Sequence, residues 1–218
     1  MTDTIIFDLD GTLLNTLEDL MLSTNHALKS FNYPERTLEE IRNFVGNGVA
    51  KLIERAIPNG RCNPDFEACL ECFKSHYSQT LKAHTAPYDG IIDMLVKLQE
   101  KGYKIAVVSN KFDKAVKDLC KLYFDTLVPV AIGEGKNTRP KPYPDGVFKA
   151  VLELNSTISN AIYSGDSDVD VETAHNAGLK CIGVTWGFRS VNVLKNAGAD
   201  YSINTPDEII EILDNLNS

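Results

Sequence analysis

A chain of 218 residues, 43% hydrophobic and 24% charged, can bury a substantial core and has the balance of an ordinary globular protein. Its formal net charge of −8 argues against non-specific binding to nucleic acid or to an anionic membrane, although locally concentrated cations can still receive an anionic substrate. No apolar run approaches the roughly 18–20 residues that span a bilayer, and the N-terminus lacks a signal-peptide pattern, so a cytoplasmic location is expected.

The chain opens on a strand, Thr4-Ile5-Ile6-Phe7, which runs directly into Asp8-Leu9-Asp10-Gly11-Thr12. From Asn15 to His84 the pattern is helical, with four segments and no convincing strand. Thr16-x-x-Asp19 resembles a capping start, after which Leu17, Leu20, Met21, Thr24, Leu28 and Phe31 recur at helical spacing. Thr37-x-x-Glu40 is a capping box before Ile41 and Phe44. Gly46-Asn47-Gly48 interrupts, Val49 to Ile57 resumes, and Pro64 opens a longer helix to about Leu81. Cys69 and Cys72 form a C-x-x-C on that helix, with Cys62 upstream and His76 downstream; no second C-x-x-C follows, so ordinary thiols are expected.

From residue 86 onward strands alternate with amphipathic helices. A helical pattern ends at Lys101-Gly102 and the apolar run Lys104 to Val108 comes next. Asp113 to Leu122 reads as a helix, Thr126 to Val130 as a weaker strand, and Ala161 to Ser164 as another. Asp170 to Ala177 reads as a helix stopped by Gly178, Cys181 to Thr185 as a strand, and Ala199 to Asn204 as the last. Pro206-Asp207-Glu208 starts a final helix with its acids where the dipole favours them. Runs apolar on both faces suit a parallel sheet covered by helices on each side. The expected fold is therefore α/β: a doubly wound, mainly parallel Rossmann-like core (residues 1–14 and 86–218) with an inserted all-helical cap (residues 15–85) over the sheet's carboxyl edge, where ligands bind in such folds.

The densest chemical signal is Asp8-x-Asp10-Gly11-Thr12. Residues two apart in extended chain point the same way, so two carboxylates emerge together at the strand's exit. Their repulsion requires a cation or a proton, which means a divalent metal or an acid of raised pKa. Gly11 lets the backbone turn tightly past a ligand. Ser109-Asn110 ends the Val107-Val108 strand and brings a hydroxyl and an amide to the same edge. Arg139-Pro140-Lys141-Pro142 confines a lysine between prolines. Gly165-Asp166-Ser167-Asp168-Val169-Asp170 carries three acids in five residues at a helix start, more than capping needs and better explained by a metal site.

In this order and spacing, the four motifs resemble the haloacid dehalogenase superfamily of aspartate-nucleophile phosphatases, and the resemblance covers the whole chain. It implies that Asp8 attacks phosphorus to form an aspartyl-phosphate, and that Asp10 protonates the leaving oxygen and then activates water. It implies that Ser109 binds a phosphoryl oxygen, with backbone help from Asn110 and Gly11, and that Lys141 neutralises charge there. It implies Mg²⁺ held by Asp8, the backbone carbonyl of Asp10, and Asp166, with Asp170 behind them or as an alternative ligand. Dehalogenase members lack a second Asp and ATPase members carry Thr at the position of Asp10, so this chain resembles the phosphatases and phosphomutases.

Members with an all-helical cap act on small phosphorylated metabolites. The run Val107 to Lys111, the stretch Gly183-Val184-Thr185-Trp186-Gly187 and the glycine-containing cap loop look most like phosphoglycolate phosphatases. Inorganic pyrophosphatases, nucleotidases and β-phosphoglucomutase-like mutases share the signature. Gly46, Asn47 and Gly48 form either a substrate-specificity loop or a plain inter-helix loop, and Trp186 either rims the site or only packs. The implied partner is a small phosphorylated metabolite, with no nucleic acid or membrane and a monomer or homodimer as the assembly. A receiver domain would place its acceptor Asp after a later strand and lacks a helical insertion of this size. A phosphate-binding loop at Gly133 to Thr138 fails, because Val130 stands where its first glycine is needed and Asn137 where it needs Ser or Thr.

Overall fold

The computed structural model describes residues 1–80, 83–136 and 138–218. The chain opens with β1 (Thr4–Phe7) and a short β2 (Leu14–Asn15), followed by four helices, α1 (Leu17–Ser30), α2 (Leu38–Phe44), α3 (Val49–Ala56) and α4 (Phe66–Thr80). It returns through β3 (Ala86–Pro87), then alternates α5 (Ile91–Glu100), β4 (Lys104–Phe112), α6 (Asp113–Tyr123), β5 (Val130–Glu134) and α7 (Asp145–Glu153). It ends with β6 (Ala161–Gly165), α8 (Asp168–Asn176), β7 (Cys181–Val184), α9 (Val191–Ala197), β8 (Tyr201–Ile203) and α10 (Glu208–Asn217).

Six strands form one parallel sheet in the order β5-β4-β1-β6-β7-β8. The chain moves outward from β1 to β4 and β5, then crosses back to β6 on the other side of β1. This reversal opens a crevice at the carboxyl ends of β4, β1 and β6, the place where open α/β sheets bind ligands. The doubly wound α/β fold expected from the apolar runs is the one observed.

Alternation along β1 explains the two-sided core. Ile5 and Phe7 are buried in one apolar cluster, and Ile6 between them is buried in the other, with Ala106, Val108 and Tyr163. The first cluster continues without a break into α1 to α4 through Leu20, Leu52, Phe73 and Tyr77. The helical insertion is thus packed on the sheet layer by buried apolar surface, and β2 pairs antiparallel with β3 where the chain leaves and re-enters the core.

Three sequence expectations need correction. The strand placed at Thr126 to Val130 begins only at Val130; Asp125–Leu127 is a 3₁₀ turn, and Val130 to Ile132 pair with Ala106 to Val108. Pro129 has no N–H for a ladder, so the apolar residues after it make the pairing. The strand β4 does not end at Ser109-Asn110 but runs to Phe112 with a register shift after Val108, so both residues lie within it. Helices α7 and α9 have no counterpart among the elements expected from the sequence. The Thr37–Glu40 capping box is present with both reciprocal bonds. The expected helix end at Leu81, and Asn137 of the rejected phosphate loop, lie outside the described residues.

Candidate active site

Asp8 sits one residue beyond β1, its amide still donating to the Ser164 carbonyl (2.9 Å) as the sheet would. It is 6% exposed. Beyond it the chain folds back on itself, and the amides of Leu13 and Leu14 both donate to the Leu9 carbonyl. Gly11 adopts φ +90°, and any side chain there would collide with the Asp166 carboxylate. Its amide, expected to face phosphate, donates instead to the Leu14 carbonyl (2.9 Å), so Gly11 provides room for Asp166.

The Lys141 ammonium donates to Asp8 Oδ1 (2.7 Å), Asp170 Oδ1 (2.6 Å) and the Tyr163 hydroxyl (3.2 Å). Its backbone is held by Asn110, whose Oδ1 accepts the Lys141 amide (2.6 Å) and whose Nδ2 donates to the Lys141 carbonyl (3.1 Å). Asp170 is fully buried and closes a capping box with Ser167 at the start of α8, with Oδ2 taken by the Ser167 hydroxyl (2.6 Å) and amide (3.1 Å). With Oδ1 on Lys141 and Oδ2 on Ser167, Asp170 orients the lysine.

Asp166 Oδ2 accepts the Phe188 amide (2.6 Å). The loop after β7 lies against it so closely that a side chain at Gly187 would collide with Asp166 Cβ and the Gly11 carbonyl. Trp186 secures the same loop, its indole donating to the Thr12 carbonyl (3.0 Å). Burial first, then Asp170, pushes the Asp166 carboxyl up to about 7 against the Phe188 amide and the charges of Lys141 and Arg189. Burial likewise raises Asp8 well above its usual range, opposed by Lys141 and reinforced by Asp170, Asp166 and Asp10. Burial would lower the Lys141 ammonium, but Asp170 and Asp8 outweigh it and keep it charged.

Asp10 lines the same cavity but has a different cationic partner. Both its oxygens are held by Lys111 Nζ (2.7 and 2.9 Å), and Thr16 donates to Oδ1 (2.7 Å). Thr16 makes no side-chain cap bond to α1, and the expected capping partner Asp19 instead accepts the amides of His84 and Thr85. Lys111 is buried, and its ammonium lies 4.8 Å from the centroid of the Tyr77 ring on α4. The motif reading assigns Lys111 no role. A signal is present all the same, since Lys111 directly follows Ser109-Asn110 in the sequence and lines the same cavity.

The expected cap residues divide. Gly46 and Gly48 line the cavity with Asp8, Ser109 and Lys141, and the Gly46 carbonyl accepts from Asn110 (3.1 Å). Asn47 is not among the lining residues; its side chain accepts from Arg55 within the helical block (2.9 Å). The cavity is partly open to solvent, and its empty volume, counted with that open space, is about 560 Å³. The cysteines are all free, and burial pushes the Cys69 thiol up to about 11. His76 contacts Ser23 (3.0 Å) and stacks on His26.

The haloacid dehalogenase-like hydrolase family matches residues 5–184. A phosphoglycolate phosphatase of Aquifex aeolicus is 32% identical, over 97% of this chain and 96% of that protein. A solved structure from Lactobacillus delbrueckii subsp. bulgaricus, 34% identical, covers 97% of this chain and 98% of its own with a TM-score of 0.92. The crystal structure of a predicted phosphoglycolate phosphatase from Haemophilus somnus, 29% identical, gives 0.90 over 97% of this chain and 98% of that one. The chain belongs to the haloacid dehalogenase-like hydrolases. Within that family its likeness is to phosphatases, and it is a phosphoric monoester hydrolase.

Haloacid dehalogenase-like phosphatases use Mg²⁺, and the residues present fit that ion. Oxygens of Asp8, Asp166 and Asp170 lie within 4.8 Å of one another, all buried, the sole such acidic, His or Cys group among the described residues. Three buried acids around one ammonium leave the cluster short of positive charge, and an all-oxygen donor set suits a hard divalent cation. The protonation of Asp166 provides a pH test. This acid holds its proton more tightly when folded (about 7) than at its ordinary value of 3.8, so the folded chain binds more protons between those values. Its contribution to the stability of the metal-free protein is therefore full below about pH 4 and is lost as pH rises through 7. Mg²⁺ competes with that proton, so millimolar Mg²⁺ should raise the melting temperature more at pH 8 than at pH 5; equal shifts would show that the buried acids do not bind it.

Proposed function

We propose that this phosphatase hydrolyses a small phosphorylated carboxylic acid, phosphoglycolate first among them, through an aspartyl-phosphate on Asp8. The observation that carries the mechanism is the asymmetry of Asp8. Oδ1 is held by Lys141 at 2.7 Å, while no described residue donates a hydrogen bond to Oδ2. A carboxylate fixed through one oxygen presents the other as a nucleophile of defined direction. Oδ2 attacks phosphorus, the P–O bond to the substrate breaks, and Asp10 gives its proton to the departing alkoxide. Lys111 is then the counter-charge of the carboxylate left on Asp10. In the second half Asp10 takes a proton from water, the water oxygen attacks phosphorus, and inorganic phosphate leaves with Asp8 restored. That Ser109 and Lys141 line the cavity with Asp8 supports their binding the phosphoryl oxygens, since phosphoryl transfer depends mainly on positioning and charge neutralisation. Mg²⁺, held by Asp8, Asp166 and the Asp10 carbonyl, would supply further positive charge for the transferring group.

The phosphoglycolate assignment draws on the relatives of that name and on a cavity lined by cap residues Val45, Val49 and Leu52. Steady-state kinetics of the full chain with Mg²⁺ on phosphoglycolate, pyrophosphate, a nucleoside monophosphate and a hexose phosphate test it. The expected order puts phosphoglycolate first in kcat/KM by at least about tenfold, a difference of roughly 1.4 kcal/mol in transition-state binding. A different compound in first place overturns the substrate reading, and failure to release phosphate from any of them overturns the mechanism.

A further inference from the structure

Three cations line the cavity: Lys111, Lys141 and Arg189. The lysines are each matched by carboxylates, Lys141 by Asp8 and Asp170 and Lys111 by Asp10, at 2.6–2.9 Å. Arg189 is different. Its nearest carboxylate, on the half-exposed side chain of Asp168, lies at 4.0 Å from Nε. Its hydrogen bonds go to main-chain carbonyls at the end of α2, Nη1 to Arg42 (2.6 Å) and Nη2 to Val45 (2.7 Å). Carbonyl oxygens orient a guanidinium without neutralising it. Of its five N–H groups, two are used in this way and three remain.

The guanidinium is also firmly placed. Arg189 comes directly after Phe188, whose amide is bound to Asp166, in the loop that Trp186 ties to Thr12 and Gly187 packs on Gly11. Its charge is felt at Asp166, so it borders the site electrostatically as well as geometrically. A Cβ on Gly46 would come to 3.5 Å from Nη2, so the absence of a side chain there keeps space open beside the guanidinium. The rest of that wall is apolar, formed by Val45, Val49, Leu52 and Phe188. A substrate bound by its phosphoryl group at Asp8 therefore meets in Arg189 a cation whose hydrogen bonds go to no carboxylate.

We propose that Arg189 is the specificity-determining residue of this phosphatase, pairing with a carboxylate on the organic part of the substrate. Arginine suits this role because its planar fork matches a carboxylate through two parallel bonds. The assignment rests on the reading that the substrate is a small phosphorylated acid. It adds that this preference resides in one side chain of the core loop, which the cap carbonyls of residues 42 and 45 hold in place. A closed cap would then assemble the acid-binding fork, linking cap position to substrate choice.

The test compares phosphoglycolate with 2-hydroxyethyl phosphate, equal in carbon number but carrying a neutral hydroxymethyl group in place of the carboxylate. Wild-type protein, Arg189→Met and Arg189→Lys are assayed with Mg²⁺, and thermal melts confirm that both variants are folded. Arg189→Met should lower kcat/KM for phosphoglycolate about 100-fold, chiefly through KM, and change that for 2-hydroxyethyl phosphate less than about threefold. Arg189→Lys, which keeps charge but not the fork, should fall between. Equal loss on both substrates would make Arg189 only a latch between loop and cap, and no loss on either would remove it from the site. Either result overturns the assignment while leaving phosphoglycolate as substrate. A wild-type enzyme with no preference for the acid defeats the substrate reading itself, and Arg189 with it.

Discussion

Asp8→Asn should abolish phosphate release, with a loss on the order of 10⁴-fold or more in kcat, while the fold persists. Asparagine matches the aspartate in shape, so the strand exit, the Ser164 pairing and the Gly11 turn are undisturbed. It lacks the anionic oxygen that attacks phosphorus. Stability should not fall, because Asp8 is a buried acid whose proton affinity is raised by burial and by Asp170, Asp166 and Asp10. Exchanging it for a neutral group removes that repulsion, and Lys141 keeps Asp170 as partner at 2.6 Å. Phosphate release and a thermal melt on the same preparation check both halves. Residual turnover within about 100-fold of wild type would mean that another group is the nucleophile.

Lys141→Met should have the second-largest effect and act on stability and turnover together. Methionine fills most of the lysine's volume but leaves Asp8 and Asp170 buried without their shared ammonium. Removing one partner of a buried ion pair costs about 3–5 kcal/mol, because the remaining charge is neither solvated nor paired. The loss should be greatest at the higher pH, where Asp8 is more fully ionised, and should shrink as pH falls and Asp8, whose proton affinity burial raises, takes up its proton. Urea unfolding at pH 5 and pH 8 measures this, and an equal loss at both would contradict the ion-pair account. Turnover should fall on the order of 10³-fold, since the variant lacks the charge that fixes Asp8 Oδ1 and faces the transferring phosphoryl group. Asp170→Asn should do less, because Lys141 would retain Asp8.

The parallel sheet was legible because buried strands are written as continuous apolar runs, and Thr4–Phe7, Ala161–Gly165 and Cys181–Val184 lie close to where that pattern put them. The Thr37 capping box was equally legible, being a contact between residues three apart. The strand near residue 130 was misplaced because Thr126 to Val128 have strand-like side chains, yet pairing with β4 is satisfied only beyond Pro129. Thr16 failed as a cap for a similar reason. Its hydroxyl has a competing acceptor in Asp10, which a local reading of Thr16-x-x-Asp19 does not weigh.

By itself the sequence determined the chemistry on offer: paired acids directly after the first strand, a hydroxyl following an apolar run, a lysine confined between prolines and a third acid next to a helix start. These are local facts, set by period-two alternation and by the few residues directly after each apolar run. Only the tertiary structure decided how the charges are shared. Lys141 reaches Asp8 across 133 positions of chain and Lys111 reaches Asp10 across 101, while Arg189 meets the carbonyl of Arg42 across 147. Which cation neutralises which acid, and which is left for a substrate, depends on distances of a few ångströms in a buried, weakly screened site. Separation along the chain carries no record of those distances.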